Sequence, residues 1–581
     1  MLTSLWSMKS GQVQTTRKPV GGGIMNSNYI HWRRVLCSLL LAAPLAPTAF
    51  SGGPPYLVNV TTYHNDNARL GLNAKEIALT LANVNPTQFG KLFSHAVDGF
   101  VYAQPLYLSN VRISGKGLHN VVYVATEHDS VYAFDADGNT GVNRQALWTR
   151  GFADPAAGIR PVRTEDLENG KCKNIVPEVG ITGTPVIDAA TGTLYVVTNA
   201  TRPEKGFAQR LHALDVATGN EKFGGPVEIH ASVSGGGDGS VGGQVAFDPL
   251  HNLQRPGLLL NKGVVYIAWA GHCDNGHGWL MAYDAGTLAQ LAVWNATPNG
   301  GIGGVWHAGS APAADADGSI YLATGNGTFD AATGGVDFGD SLLKFAAPTK
   351  GQMPLLDYFT PFNQADMESQ DNDFGSGGPM LLPQQPAGSP HRNLLVIGDK
   401  TGTLYVVDRD NPGKFNPNGN QIVQTLTGQL ACCTGGATAW WNNTVYVTSV
   451  FDKMKAFSFD PSTGRLSDVP VSQTTQVFLY YPPPFFSISS NGLTNAIVWA
   501  LDPDTYVHSP SSNSGSGQTG GQPAVLRAFD ARDLSREIYN SNENFPRDNA
   551  GKGVKFAVPT VVNGKVYVGT QDELAVYGLL P

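Results

Sequence analysis

A chain of 581 residues with 69 glycines and only 14% charged residues is rich in turns, and its surface carries hydroxyl and amide groups more than charge. A net charge of −8 and a pI near 5.9, with no Lys/Arg cluster, exclude the basic field that a nucleic-acid partner needs. Length alone admits several domains, but large all-β architectures run this long as one unit.

In chain order, Arg33-Arg34 precede the apolar run 35–46, and small residues follow around Ala49 and Ser51. A positive flank, an apolar stretch of about a dozen residues and a small-residue cleavage site predict a secretory signal, too short to cross a bilayer core of about 30 Å. Residues 1–51 are therefore expected to be a signal segment, with 1–24 a misassigned extension if Met25 is the true start. The remainder, 52–581, is expected to be exported to the periplasm or beyond it, without a membrane span. Cys37 lies in the apolar run with no pattern of a lipid-anchored cysteine. Four cysteines then remain: Cys172, Cys273, Cys432 and Cys433.

From there one pattern recurs: a β-branched or aromatic run, a few polar residues, a second apolar run, then Asp and a Gly-containing turn. It is seen at 121–141, 193–219, 264–287, 394–413, 444–464 and 565–580, with "SIYLATGNG" plus "DSLLKF" and "AIVWALDPD" plus "AVLRAFDARD" making eight copies. Each copy is a strand pair, and flanking segments such as "TGTPVID" and "NEKFGGPV" add outer strands. Four antiparallel strands repeated radially leave only short protected edges, so the pattern predicts one all-β domain: an eight-bladed β-propeller of four-stranded antiparallel blades. The last copy has no fourth strand before Pro581, while 86–99 has outer-strand character with no unit before it. Pairing that N-terminal strand into the C-terminal blade closes the ring and removes an open edge. No helix is required. The Ser/Gly-rich run 510–523 falls inside the seventh unit and reads as a loop.

The turns "AFDADGNTG", "ALDVATGNEKF" and "AYDAGTLAQLAVW" resemble the repeat of the PQQ-like propellers, the quinoprotein alcohol dehydrogenases and their non-enzymatic relatives of the outer-membrane assembly type. "TTYHNDNARLGLN" resembles that family's opening, and "VPTVVNGKVYVGT" its closing blade. The resemblance implies that the repeat Gly takes a left-handed turn, where only Gly is free of strain, and that Trp148, Phe223 or Trp294 then covers the neighbouring blade. For an enzyme of this kind it also implies pyrroloquinoline quinone across the axis, with Ca²⁺ or another hard cation at its carbonyl edge. Such a site needs a flat aromatic floor, hard oxygen ligands, a carboxylate base and a cation near the quinone oxygens.

The resemblance places the floor at Trp306 in "GGVWHAGS" and an asparagine metal ligand at Asn326 in "TGNGT". It places the base and a further metal ligand at Asp373, and the quinone contact at Lys400 in "GDKTGT". Each has a plainer alternative: an aromatic axial plug, a turn asparagine, an Asx turn and a hairpin lysine. The chain also departs from the family. A glutamate metal ligand belongs on the third unit, where "AGHCDNGHG" offers Asp274 as the nearest substitute. His272, Cys273 and His277 there have no recognised soft-metal spacing. The family's vicinal cysteine pair caps the quinone from the second unit. Here Cys432 and Cys433 sit on the sixth, as a cap or as a local bridging feature, and an oxidising exterior would equally permit a bridge from Cys172 to Cys273.

No Cys-x-x-Cys-His haem motif occurs, so an enzyme of this type would pass electrons to an external acceptor. Neither Gly-x-Ser-x-Gly nor His-Glu-x-x-His is present. Two functions remain open. One is a PQQ-dependent dehydrogenase of an alcohol or sugar; the other is a non-catalytic propeller that binds a glycan or protein through loops 152–180, 228–256 and 503–523, or scaffolds protein assembly.

Overall fold

The computed structural model describes residues 58–581 except Lys205, 433–437, Tyr480 and 504–522. The signal segment, Cys433 and most of the Ser/Gly-rich loop lie outside the described residues.

Eight small antiparallel sheets follow one another along the chain. Blade 1 covers 106–151, blade 2 186–228, blade 3 259–295, blade 4 313–359, blade 5 380–426, blade 6 438–473, blade 7 485–540 and blade 8 560–579. The repeats are the central hairpins. "VVYVATEHDSVYAFD" forms the pair Gly117–Thr126 and Ser130–Asp135, and "LLVIGDKTGTLYVVD" forms Leu394–Gly398 and Leu404–Asp408. These strands are buried on both faces because each blade is sandwiched between two others. Ile497, Trp499 and Leu526 of blade 7, for example, share a core with Val561, Val566 and Tyr577 of blade 8. Nearly continuous apolar runs are the sequence signature of that position.

The fourth strand of blade 8 is Phe89–Ala96, antiparallel to Glu573–Leu579. Ahead of it, residues 60–73 form a strap that touches every blade in turn. Val60 exchanges backbone hydrogen bonds with Tyr107, and the carbonyls of Thr61, Asn67, Ala68, Leu70 and Gly71 accept from Ile187, Ala314, Leu381, Trp440 and Ile488. The Asn67 and Asn73 side chains donate to Leu260 O and Val561 O. Arg69, fully buried in the strap, donates to Pro312 O at 2.7 and 2.9 Å and to Thr62, Tyr63 and Asp66 of the strap itself.

The repeat turns follow the resemblance in part: Gly219 is left-handed, whereas in the third turn Leu288, at φ +60°, takes that conformation instead of Gly286, and Trp148 and Trp294 cover their neighbouring blades. Gly219 has φ +70°, and a Cβ there would sit 2.6 Å from the ring of Trp148, whose Nε1 donates to Val216 O at 2.9 Å. Trp294 packs edge-on against Phe345 of blade 4 with centroids 5.1 Å apart. Phe223 differs: it is 39% exposed and carries the ammonium of Lys222 over its ring. Among the described residues one short α-helix, Gln364–Ser369, lies in the connector before blade 5. No helix among the described residues is long and apolar enough to cross a membrane.

Candidate functional site

Trp306, Asn326, Asp373, Lys400 and Asp274 line one cavity of about 400 Å³. They reach it from the connectors between blades and from hairpin turns, where backbone direction is set by the blade but side chains are free to point inward.

The turn after Ile320–Ala323 pairs with the stretch entering blade 4: Gly325 N donates to Gly304 O at 2.8 Å, and Gly303 N to Asn326 O at 2.8 Å. This sets Asn326 beside Trp306. After the tryptophan, His307 and Ala308 both have φ of 46°, a left-handed twist that turns the chain sharply under the indole. Gly325 has to be glycine for a packing reason. A Cβ would lie 2.6 Å from Asp373 Oδ1 and 3.3 Å from Trp306 Nε1.

Asp373 opens the turn Phe374–Ser376 and is 4% exposed. Its Oδ1 accepts from Asn326 N at 2.8 Å, and its Oδ2 lies 2.5 Å from Lys400 Nζ. Lys400 also pairs with Asp371 Oδ1 at 2.7 Å and lies 5.7 Å from the Trp306 ring centroid. Burial raises the Asp373 carboxyl above the ordinary range, and Lys400 opposes that shift. Burial works against the Lys400 ammonium, but Asp373 and Asp371 outweigh it and hold it well above the usual lysine value. Asp340 lies behind this pair; buried, and close to the charge of Asp373, it is pushed far up and donor groups of Phe374 and Gln364 hold it.

Asp274 stands at the exposed rim with φ +60°. Partial desolvation, then the charges of Asp371 and Asp373, raise its carboxyl. Its neighbour Cys273 is joined to Cys172 in the expected bridge, with Cα atoms 5.8 Å apart. The bridge ties the 152–180 loop to blade 3 and brings Asn174 and Ile175 to the cavity wall. Among the described residues no group of three or more His, Cys, Asp or Glu is arranged to hold a metal ion. Cys432 does not line the cavity, and Cys433 lies outside the described residues.

Sequence reasoning missed Arg255, Lys555 and Phe556, which complete the wall. Lys555 is the sole charge in the apolar stretch "GVKFAVPTVV", and a lone lysine in a buried run was the available signal.

Eight blades thus surround a pocket lined by acidic and basic side chains. The fold is that of the quinoprotein alcohol dehydrogenases. The quinohemoprotein alcohol dehydrogenase of Comamonas testosteroni superposes with a TM-score of 0.56 at 16% identity, over 90% of this chain and 80% of that one. The quinohemoprotein alcohol dehydrogenase ADHIIG of Pseudomonas putida HK5 gives 0.56 at 15%, with the same coverage. A europium-containing methanol dehydrogenase gives 0.55 at 14%, over 90% of this chain and 98% of that one. Neither a protein-family profile nor a curated relative matches the sequence.

Proposed function

We propose that the protein is an exported quinone-dependent oxidoreductase that oxidises an alcohol or sugar and passes electrons to an external acceptor. The observation that carries this reading is the convergence of Trp306, Asn326, Asp373 and Lys400, each from a different turn, on one axial cavity. The fold likeness to alcohol and methanol dehydrogenases supports it, and the disulfide and the apolar N-terminal run support export.

The wall suits a flat, anionic cofactor such as pyrroloquinoline quinone. Trp306 offers an aromatic face, and the basic side chains of Lys400, Arg255 and Lys555 border the same cavity. Such a group supplies the two-electron acceptor. The chain supplies the rest. Asp373, kept dry and held on both oxygens, is placed to take the proton of a substrate hydroxyl, a role that a raised carboxyl suits. Lys400 keeps that carboxylate oriented and presents positive charge beside the tryptophan face.

A hard cation fits less well. It favours six or more oxygen ligands, whereas of the expected ligands Asn326, Asp274 and Asp373 the last is already engaged on both oxygens. No step here depends on a metal. The same shortfall favours a second reading, a propeller that binds its ligand without turning it over. Incubation with pyrroloquinoline quinone, with and without Ca²⁺, decides. The reading expects a quinone absorbance band that survives desalting, a raised melting temperature, and loss of both in Trp306→Ala. No retained band, or an unchanged one in that variant, ends it.

A further inference from the structure

Two basic side chains of the cavity, Arg255 and Lys555, form no salt bridge with any described residue. Arg255 is 3% exposed and Lys555 5%. Arg255 Nη2 is buried without a hydrogen-bond acceptor, and the charged neighbour that Lys555 feels is Arg255, another cation. Both flank one ring: the Arg255 guanidinium lies 4.3 Å and the Lys555 ammonium 5.5 Å from the centroid of Phe556. A charge taken out of water without a partner is among the costliest features a fold can hold.

The surroundings are built to hold this pair. Gly309, at φ +92°, lets the guanidinium lie against the backbone, since a Cβ there would be 3.2 Å from Nη2. Phe556 itself is held at φ +66°, a strained conformation for an aromatic residue. Glu127, whose charge reaches Arg255, makes no ion pair with it: burial pushes its carboxyl up to about 8, and its Oε2 is held by Gly180 N and Thr182 Oγ1.

We propose that Arg255 and Lys555 form an anion subsite of the axial cavity that takes the carboxylate of a small organic acid. The planar guanidinium fork matches a carboxylate in two parallel hydrogen bonds, and the ammonium adds a point charge. Asp371 and Asp373 are taken up by Lys400, so Arg255 and Lys555 are left to meet the charge of the ligand. The carboxylate belongs either to a free organic acid or to the bound cofactor, and the subsite stands whether or not the quinone reading does.

The test is calorimetry on the purified full chain with gluconate, with sorbitol as its uncharged counterpart, and with inorganic phosphate, all without quinone. Pyrroloquinoline quinone retention is then measured separately by absorbance. Gluconate is expected to bind and sorbitol not, with Lys555→Met and Arg255→Gln each weakening binding about tenfold or more. Lys555→Met removes an uncompensated charge, so it keeps the test open if the arginine variant does not fold. Gluconate binding lost in the variants while quinone retention survives assigns the subsite to a free acid; quinone retention lost with Lys555 assigns it to the cofactor. Failure of both ligands to bind the wild type, unchanged affinity in both variants, or phosphate outcompeting gluconate overturns the proposal.

Discussion

Removing the Cys172–Cys273 bridge by a double alanine substitution gives a calculable loss. The two cysteines are 101 residues apart in sequence, and closing a loop of about 100 residues removes roughly 4.7 kcal/mol of chain entropy from the unfolded state. Unfolding entropy near 60 °C is about 2.1 cal/mol/K per residue, so the unit Tyr56–Pro581, roughly 500 residues, loses about 4–5 °C of melting temperature. Cys172 is buried with Val162, Leu167 and Ile175, so the loop keeps an apolar anchor and the blades stay folded. Ile175 and Asn174 form cavity wall, so ligand affinity falls along with the melting temperature. Scanning calorimetry of the variant, with non-reducing peptide mapping of the wild type, checks both halves. A linked Cys172–Cys273 peptide with a variant that melts within about 1 °C of wild type would refute the loop-closure argument.

Gly219→Ala places a Cβ against Trp148 in a left-handed turn and is expected to cost about 1–3 kcal/mol, read from chemical denaturation. Gly325→Ala pushes on Asp373 Oδ1 at the site and should abolish ligand retention with a much smaller change in melting temperature; equal losses would show that the glycine serves stability alone. Burial, with the field of Arg255, lowers Lys555 to about 7 from an unfolded value of 10.5. Between those limits the unfolded chain binds more protons, so this group's penalty is full below pH 7 and is relieved as pH rises, by roughly 1.4 kcal/mol per unit at most. Lys555→Met should therefore be more stable than wild type at pH 7, with an advantage that shrinks toward pH 10; a constant difference in melting temperature across that range contradicts the assignment.

The blades were legible because each rests on local pattern: an apolar run, a polar turn and a second run, as in 394–413, pair with each other wherever they lie. Trp306, Asn326, Asp373 and Lys400 were picked out only by resemblance to segments of the PQQ-like propellers, and the blade order carries all four to one cavity. Arg255 and Lys555 were not. Each sits alone in an apolar neighbourhood, and their joint meaning depends on the approaches to blades 3 and 8 meeting at Phe556. The strap was equally opaque, since Thr61, Ala68, Leu70 and Gly71 use backbone groups whose partners are scattered over the ring. Helix Gln364–Ser369 is too short to show a 3.6-residue period.

The pairing of Phe89–Ala96 with Glu573–Leu579 brings segments almost 500 residues apart into one seam. A polypeptide made from its N-terminus gives the strap partners blade by blade, but holds Phe89–Ala96 without its partner until Glu573–Leu579 has also emerged. Circularisation is then a single late event, and during the wait that early strand is the natural prey of proteases and the natural client of holdase chaperones.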